Sequence, residues 1–169
     1  MNMSEFEDAY DDKPRIQGEA FETAISELPL RDPILVDIAC SVADAVKAMN
    51  EHHTGCVLVH KKGKLAGIFT ERDVIARVFS REGGRNLPVE AVMTADPETL
   101  GPDDGIAFAL NKMSVGGYRH IPIVERDGQP IGVLSVRDVV DYLVDLFPQE
   151  VLNLPPSPDN AIARSLDGG

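Results

Sequence analysis

The sequence predicts an α/β (α+β) fold made of two β-α-β-β-α repeats packed about a pseudo-twofold axis. Three observations carry this prediction. The motif GIFTERDV at 67–74 returns as GVLSVRDV at 132–139, an offset of 65 that preserves Gly, a hydrophobic pair, a hydroxyl residue and Arg-Asp-Val. Upstream segments return in the same order: DPILV (32–36) as DPETL (96–100), AVKAM (45–49) as ALNKM (109–113), CVLV (56–59) as IPIV (121–124) and KKGK (61–64) as RDGQ (126–129). Finally, one copy alone is too small to bury both its sheet and its helices, so two copies are expected to share a core.

The elements follow from local pattern. A short extended segment after a proline opens each copy, at 34–36 and 98–100. A helix follows, begun by Ser41-Val42-Ala43-Asp44 in the first copy and by the Pro102-Asp103-Asp104 turn in the second. Two apolar runs around a Gly-containing turn read as hairpins, 56–60 with 65–69 and 121–125 with 130–134. The terminal helices are expected over 71–81 and 136–146, with Val74, Ile75, Val78 and Phe79, then Val139, Val140, Leu143 and Leu146, at helical spacing. The helix match has an offset of 64 and the strand match 65, which places one extra residue of the second copy within 114–119. The organisation is then an acidic, flexible N-terminal segment (1–27), a first repeat (28–82), a linker (83–92), a second repeat (93–147) and a Pro-rich tail (148–169).

Composition excludes several functions. Hydrophobic residues make up 43% of the 169, and no apolar run approaches the roughly 20 residues of a membrane span. The start, MNMSEFEDAYDD, lacks a basic and then apolar leader, so a cytoplasmic location is expected. A net charge of −12 opposes nucleic acid and anionic membranes. Cys40 and Cys56 form no CxxC pattern and read as small buried apolar residues. His52, His53 and His60 have no ligand partner at helical spacing, so no metal is expected. Gly83-Gly84 and Gly116-Gly117 precede no GK[ST], and His120 accompanies no recognisable nucleophile. The chain therefore reads as non-catalytic.

The β-α-β-β-α order and the Gly-hydrophobic-hydrophobic-Thr/Ser-x-x-Asp motif, each present twice in register, resemble the CBS (cystathionine-β-synthase-type) domain family over 28–147. The resemblance implies a tandem pair forming a disc with two clefts, which in many members bind AMP, ADP, ATP or related adenosyl compounds. It implies a regulatory module of the stand-alone kind. AMP or ATP is expected as a regulatory ligand, no cofactor is required, and a regulated protein partner is unidentified. A homodimer through the helices is expected. A ligand-free interaction scaffold of the same fold is the alternative, and an unrecognised enzyme a weaker one.

Residue by residue, the resemblance draws a main cleft from Ile34, His53, Thr54, Arg119, His120, Ser135, Arg137 and Asp138. A second cleft is drawn from Glu98, Tyr118, Thr70, Arg72 and Asp73. Asp73 and Asp138 suit ribose, because one carboxylate can accept from two vicinal hydroxyls. Thr70 and Ser135 reach the ribose or the first phosphate, and helix N-terminal N–H groups favour phosphate. Arg72 and Arg137 add positive charge beside each acid. Thr70-Glu71-Arg72-Asp73 and Ser135-Val136-Arg137-Asp138 also fit capping boxes, and the two roles are compatible. Arg119-His120 supplies phosphate contacts in the second copy, whereas the first copy has Thr54-Gly55 there and no cation. The Asp138 cleft is expected to be the better phosphate site. The Asp73 cleft takes an uncharged adenosyl group, borrows Arg119, or stays empty.

Overall fold

The computed structural model describes residues 22–146. The acidic stretch before them and the Pro-rich tail lie outside the described residues. In the first repeat, β1 (Leu35–Asp37) leads into α1 (Val42–Glu51), and the chain returns as β2 (Cys56–Lys61) parallel to β1. Ser41 caps α1 by accepting the Asp44 N–H at 3.1 Å. β2 turns back antiparallel into β3 (Lys64–Thr70) through Lys62 and Gly63, whose φ values are 52° and 79°. Positive φ at both central residues matches a tight hairpin to the twist of its strands. α2 begins at Glu71–Asp73 and continues as a π turn, Val74–Val78. β4 (Thr94–Ala95) then pairs antiparallel with β3. The second repeat follows as α3 (Ile106–Gly116), β5 (His120–Val124), β6 (Pro130–Ser135) and α4 (Val136–Leu146).

Three expectations need correction. The helix expected over 71–81 is regular only for one turn. It widens at Val74, where the Phe79 N–H closes onto the Val74 carbonyl at 3.0 Å. Arg77, on the widened turn, donates to the carbonyls of Val92 and Met93 at 3.1 and 2.7 Å, contacts that lie outside the helix. The segment at 98–100 forms no strand but a single parallel bridge, Leu100 to Ile123. Pro97 and Pro102 flank it and cannot donate to a ladder.

The third correction concerns the register of the repeat. Val57 pairs with Phe69, and Ile121 with Leu134, so Val57 and Ile121 are equivalent at an offset of 64. Both hairpins shift register after equivalent residues, Val59 and Ile123. His53 and Gly117, 64 apart, share a left-handed φ, 50° and 67°. The extra residue therefore sits in the second hairpin turn, 125–129, and not in 114–119. The first-copy equivalents of Arg119-His120 become Gly55-Cys56, and that copy still supplies no cation.

The two repeats exchange their leading segments. Ile25 and Leu28, buried at a 3-10 turn ahead of β1, pack in the core of the second repeat with Ile106, Ile121, Ile123 and Leu134. Val89 and Val92, 64 residues later, pack in the core of the first with Val42, Val57, Val59 and Phe69. Pairing follows the same exchange: β4 joins β3 at Gly67–Ala95, while Arg31 bridges Val133 of β6. Between the repeats, Cys56, Leu58 and Ile68 form a third buried cluster, against which Leu65 and Val133 pack. The hairpin turns meet where the Lys64 ammonium reaches the Asp127 carboxylate at 2.8 Å.

The exchange is tighter on one side. A Cβ on Gly67 would lie 2.4 Å from Met93 Sδ and 2.9 Å from the Thr94 carbonyl oxygen. On the equivalent Gly132, the nearest atom would be Leu30 Cδ1 at 3.4 Å. Gly67→Ala is expected to lose about 1–3 kcal/mol through overpacking. Gly132→Ala is expected to stay within about 1 kcal/mol of the parent. Urea unfolding midpoints of the two variants check the difference.

Candidate functional site: a cleft between the repeats

A cavity of about 650 Å³ opens between the repeats, a size typical of small-molecule sites. Ile34, His53 and Thr54 line it from the first repeat, and Arg119, His120, Ser135, Arg137 and Asp138 from the second. All eight residues expected at the main cleft therefore face one space. Local structure explains their placement. The Ile34 carbonyl accepts the Leu58 N–H at 2.9 Å, so the chain is already aligned with β2 before β1 begins. His53, in the left-handed region, turns the chain from α1 to β2, and the Thr54 hydroxyl then donates to the Cys56 carbonyl at 3.2 Å. The Arg119 carbonyl accepts the Val136 N–H at 3.0 Å, tying the start of β5 to the start of α4.

Asp138 is buried at the foot of this cavity. Its Oδ2 accepts the Ser135 N–H at 2.8 Å and the Ser135 hydroxyl at 2.6 Å, so it caps α4. Its Oδ1 faces Arg31 Nη2 at 3.6 Å. One oxygen holds the helix start and the other remains for a partner. Arg31, Gly55 and Cys56 also line the cavity, and sequence reasoning missed them. Burial pushes the Cys56 thiol up to about 11, so it forms an inert apolar wall.

The five residues of the second cleft do not line this cavity, and each is engaged elsewhere or exposed. Asp73 repeats the cap: its Oδ2 accepts from Thr70 N at 2.9 Å and from Thr70 Oγ1 at 2.7 Å. Its Oδ1, however, faces Arg77 Nη1 at 3.4 Å, the same nitrogen that the Val92 and Met93 carbonyls hold. Arg72 donates to the Gly117 carbonyl at 3.3 Å. Glu98 forms an ion pair with Lys112. The Tyr118 ring is exposed and lies over Gly116, where a Cβ would clash with it.

Two α/β repeats that exchange leading segments around a polar cleft define a small tandem-repeat module. The CBS-domain family profile matches residues 25–80 and 89–145, and the chain belongs to that family. It is 32% identical over 125 residues to an uncharacterised 17.7 kDa protein of Acidianus ambivalens, covering 73% of this chain and 75% of that one. The solved CBS-domain containing protein ATU1752 of Agrobacterium tumefaciens superposes with a TM-score of 0.64 at 29% identity, covering 70% of this chain and 98% of its own. The CBS domain pair of protein MJ0100, solved in complex with 5-methylthioadenosine and S-adenosyl-L-methionine, superposes at 0.65 with 21% identity, covering 72% and 95%. Among the described residues, no helix is long and apolar enough to cross a membrane.

His120 sits at the junction of the repeats. A Cβ on Gly55 would lie 3.5 Å from His120 Nε2 and 3.6 Å from Glu71 Oε2. Burial lowers the His120 pKa below its ordinary 6.5, the Arg119 charge lowers it further, and the carboxylates of Glu71 and Asp138 oppose the shift. At neutral pH the ring is therefore uncharged, and the cationic role considered for it passes to the arginines. The folded protein binds this proton more weakly than the unfolded chain does. The stability from His120 is thus fully present above about 6.5 and is lost as pH falls through the folded pKa. Thermal midpoints from pH 7.5 to 5.5 are expected to fall more steeply in the parent than in His120→Gln. Parallel slopes would contradict the assignment.

Proposed function

We propose that the chain is a non-catalytic regulatory module that binds one adenine nucleotide, AMP or ATP, in the Asp138 cleft. The observation that carries this reading is the divided carboxylate of Asp138: one oxygen caps α4, and the other faces a cavity rimmed by Arg31, Arg119 and Arg137. Ribose hydroxyls donate to Oδ1. The phosphate meets Arg119 and Arg137 beside the start of the 11-residue α4. The adenine lies against Ile34 and Val133, with backbone groups near Thr54 in reach of its edge. These are recognition contacts, without an activated nucleophile or metal set. The MJ0100 pair supports the ligand class at the level of the fold, which there accommodates adenosyl compounds. The second cleft stays unused by nucleotide, because Arg77 already takes the equivalent oxygen of Asp73.

The same proposal includes a homodimer. Ile75 on α2 and Val140 on α4 are equivalent in the repeat and both exposed, and Phe79 and Val136 beside them are exposed too. An isologous contact covers such faces, and sedimentation at tens of micromolar tests it.

Paired substitutions separate recognition from capping. Asp138→Ala and Asp73→Ala are each expected to lower stability by about 1 kcal/mol, the scale of a lost cap. Only Asp138→Ala should abolish AMP binding measured by calorimetry, at a parent stoichiometry near one per chain. Unchanged AMP affinity in Asp138→Ala would reduce that residue to a cap and leave the ligand-free scaffold as the better reading.

A further inference from the structure

We propose that Arg31 is a specificity-determining residue of the Asp138 cleft: it competes with ribose hydroxyls for Asp138 Oδ1 and, once displaced, pairs with the phosphate, so that the cleft selects nucleotides over neutral nucleosides. The inference rests on the adenine-nucleotide reading of that cleft and adds a residue and a selection rule to it.

Four observations combine. Asp138 Oδ2 is saturated by two bonds from Ser135, so any ribose contact falls to Oδ1, which Arg31 faces. At 3.6 Å, with the arginine side chain 62% exposed and the aspartate 8%, the ion pair is loose on one side and buried on the other. Exposed pairs of this kind contribute little and break readily. The Arg31 backbone, by contrast, is fixed by its bridge to Val133, and its carbonyl lies beside Gly132. A fixed Cα at the cavity wall with a long, exposed guanidinium lets the charge move without moving the fold. Finally, Ile68, the counterpart of Val133, pairs with Thr94, so the other leader places an uncharged residue where Arg31 stands. There the Asp73 oxygen pairs with Arg77, which two carbonyls hold in place. Of the two Asp Oδ1 atoms, that of Asp138 therefore has the displaceable cation.

The charge balance gives the selection its direction. A phosphate entering the cleft replaces the carboxylate as the partner of Arg31, so ion pairing is conserved. Adenosine takes Oδ1 and returns no anion, leaving the guanidinium without its partner. On a chain of net charge −12, that local cation also offsets long-range repulsion of the nucleotide.

Calorimetric titration of the full chain with AMP and with adenosine tests this in the parent, Arg31→Ala and Arg31→Lys. Arg31→Ala is expected to weaken AMP by about tenfold, the scale of one charge-assisted contact, while adenosine binds as well or more tightly. Arg31→Lys is expected to recover most of the AMP affinity, since it keeps the charge on a flexible stem. Equal weakening of both ligands in Arg31→Ala, or no change in either, overturns the inference while leaving the cleft reading intact. A parent that binds neither AMP nor adenosine overturns the cleft reading, and this inference with it.

Discussion

Everything in this structure depends on the exchange of leading segments between the repeats. Ile25 and Leu28 lie ahead of β1 in sequence but complete the core of the second repeat; Val89 and Val92 lie ahead of α3 but complete the core of the first. Neither repeat has a whole core without the other. Burial of these four side chains, each contributing about 1.5–3 kcal/mol, joins the two halves more firmly than surface contacts would. The cleft is a product of that union. Its walls come from both repeats, and their relative position is set by apolar packing that reaches the cleft wall at Cys56 and Val133.

The exchange also turns a symmetric scaffold into an asymmetric site. Both repeats cap their last helix in the same way, with one Asp oxygen bound twice by the preceding Thr or Ser. What differs is the neighbour of the other oxygen. Four residues past Asp73 stands Arg77, which turns back onto the carboxylate. Four residues past Asp138 stands Tyr142, whose hydroxyl instead bonds Thr23 Oγ1 at 2.8 Å in the exchanged leader. The leader then delivers Arg31 to Asp138, where its counterpart has Thr94. Gly55 against Arg119 completes the contrast. A few substitutions thus separate an Asp138 oxygen that faces Arg31 at a cavity from an Asp73 oxygen that faces Arg77.

Much of this was legible in the sequence because it was written twice. The repeated Gly-hydrophobic-hydrophobic-hydroxyl-x-Arg-Asp-Val motif placed both hairpins and both terminal helices, and the eight residues assigned to the main cleft converge on one cavity. The register was harder. Aligning CVLV with IPIV by hydrophobicity conceals a one-residue slip, since apolar runs match nearly as well in either frame. Only strand pairing and the shared left-handed backbone of His53 and Gly117 resolve it. Ile25 stands 64 residues before Val89, a spacing present in the sequence, yet its acidic surroundings placed it in the flexible segment 1–27. Arg31 was missed because its role depends on which repeat its segment bridges. The π turn that carries Arg77 leaves no mark in hydrophobic periodicity.

The central claim is that the Asp138 cleft, and not its pseudo-symmetric counterpart, recognises the nucleotide. The most direct test is a titration of the ¹⁵N-labelled chain with AMP, followed amide by amide up to roughly 1 mM, where even weak binding registers. The account predicts that the amides of Thr54, Gly55, His120 and Ser135 shift along one saturation curve while those of Asp73, Glu98 and Tyr118 stay in place. Shifts confined to the second group, or a spectrum unchanged throughout, would contradict it.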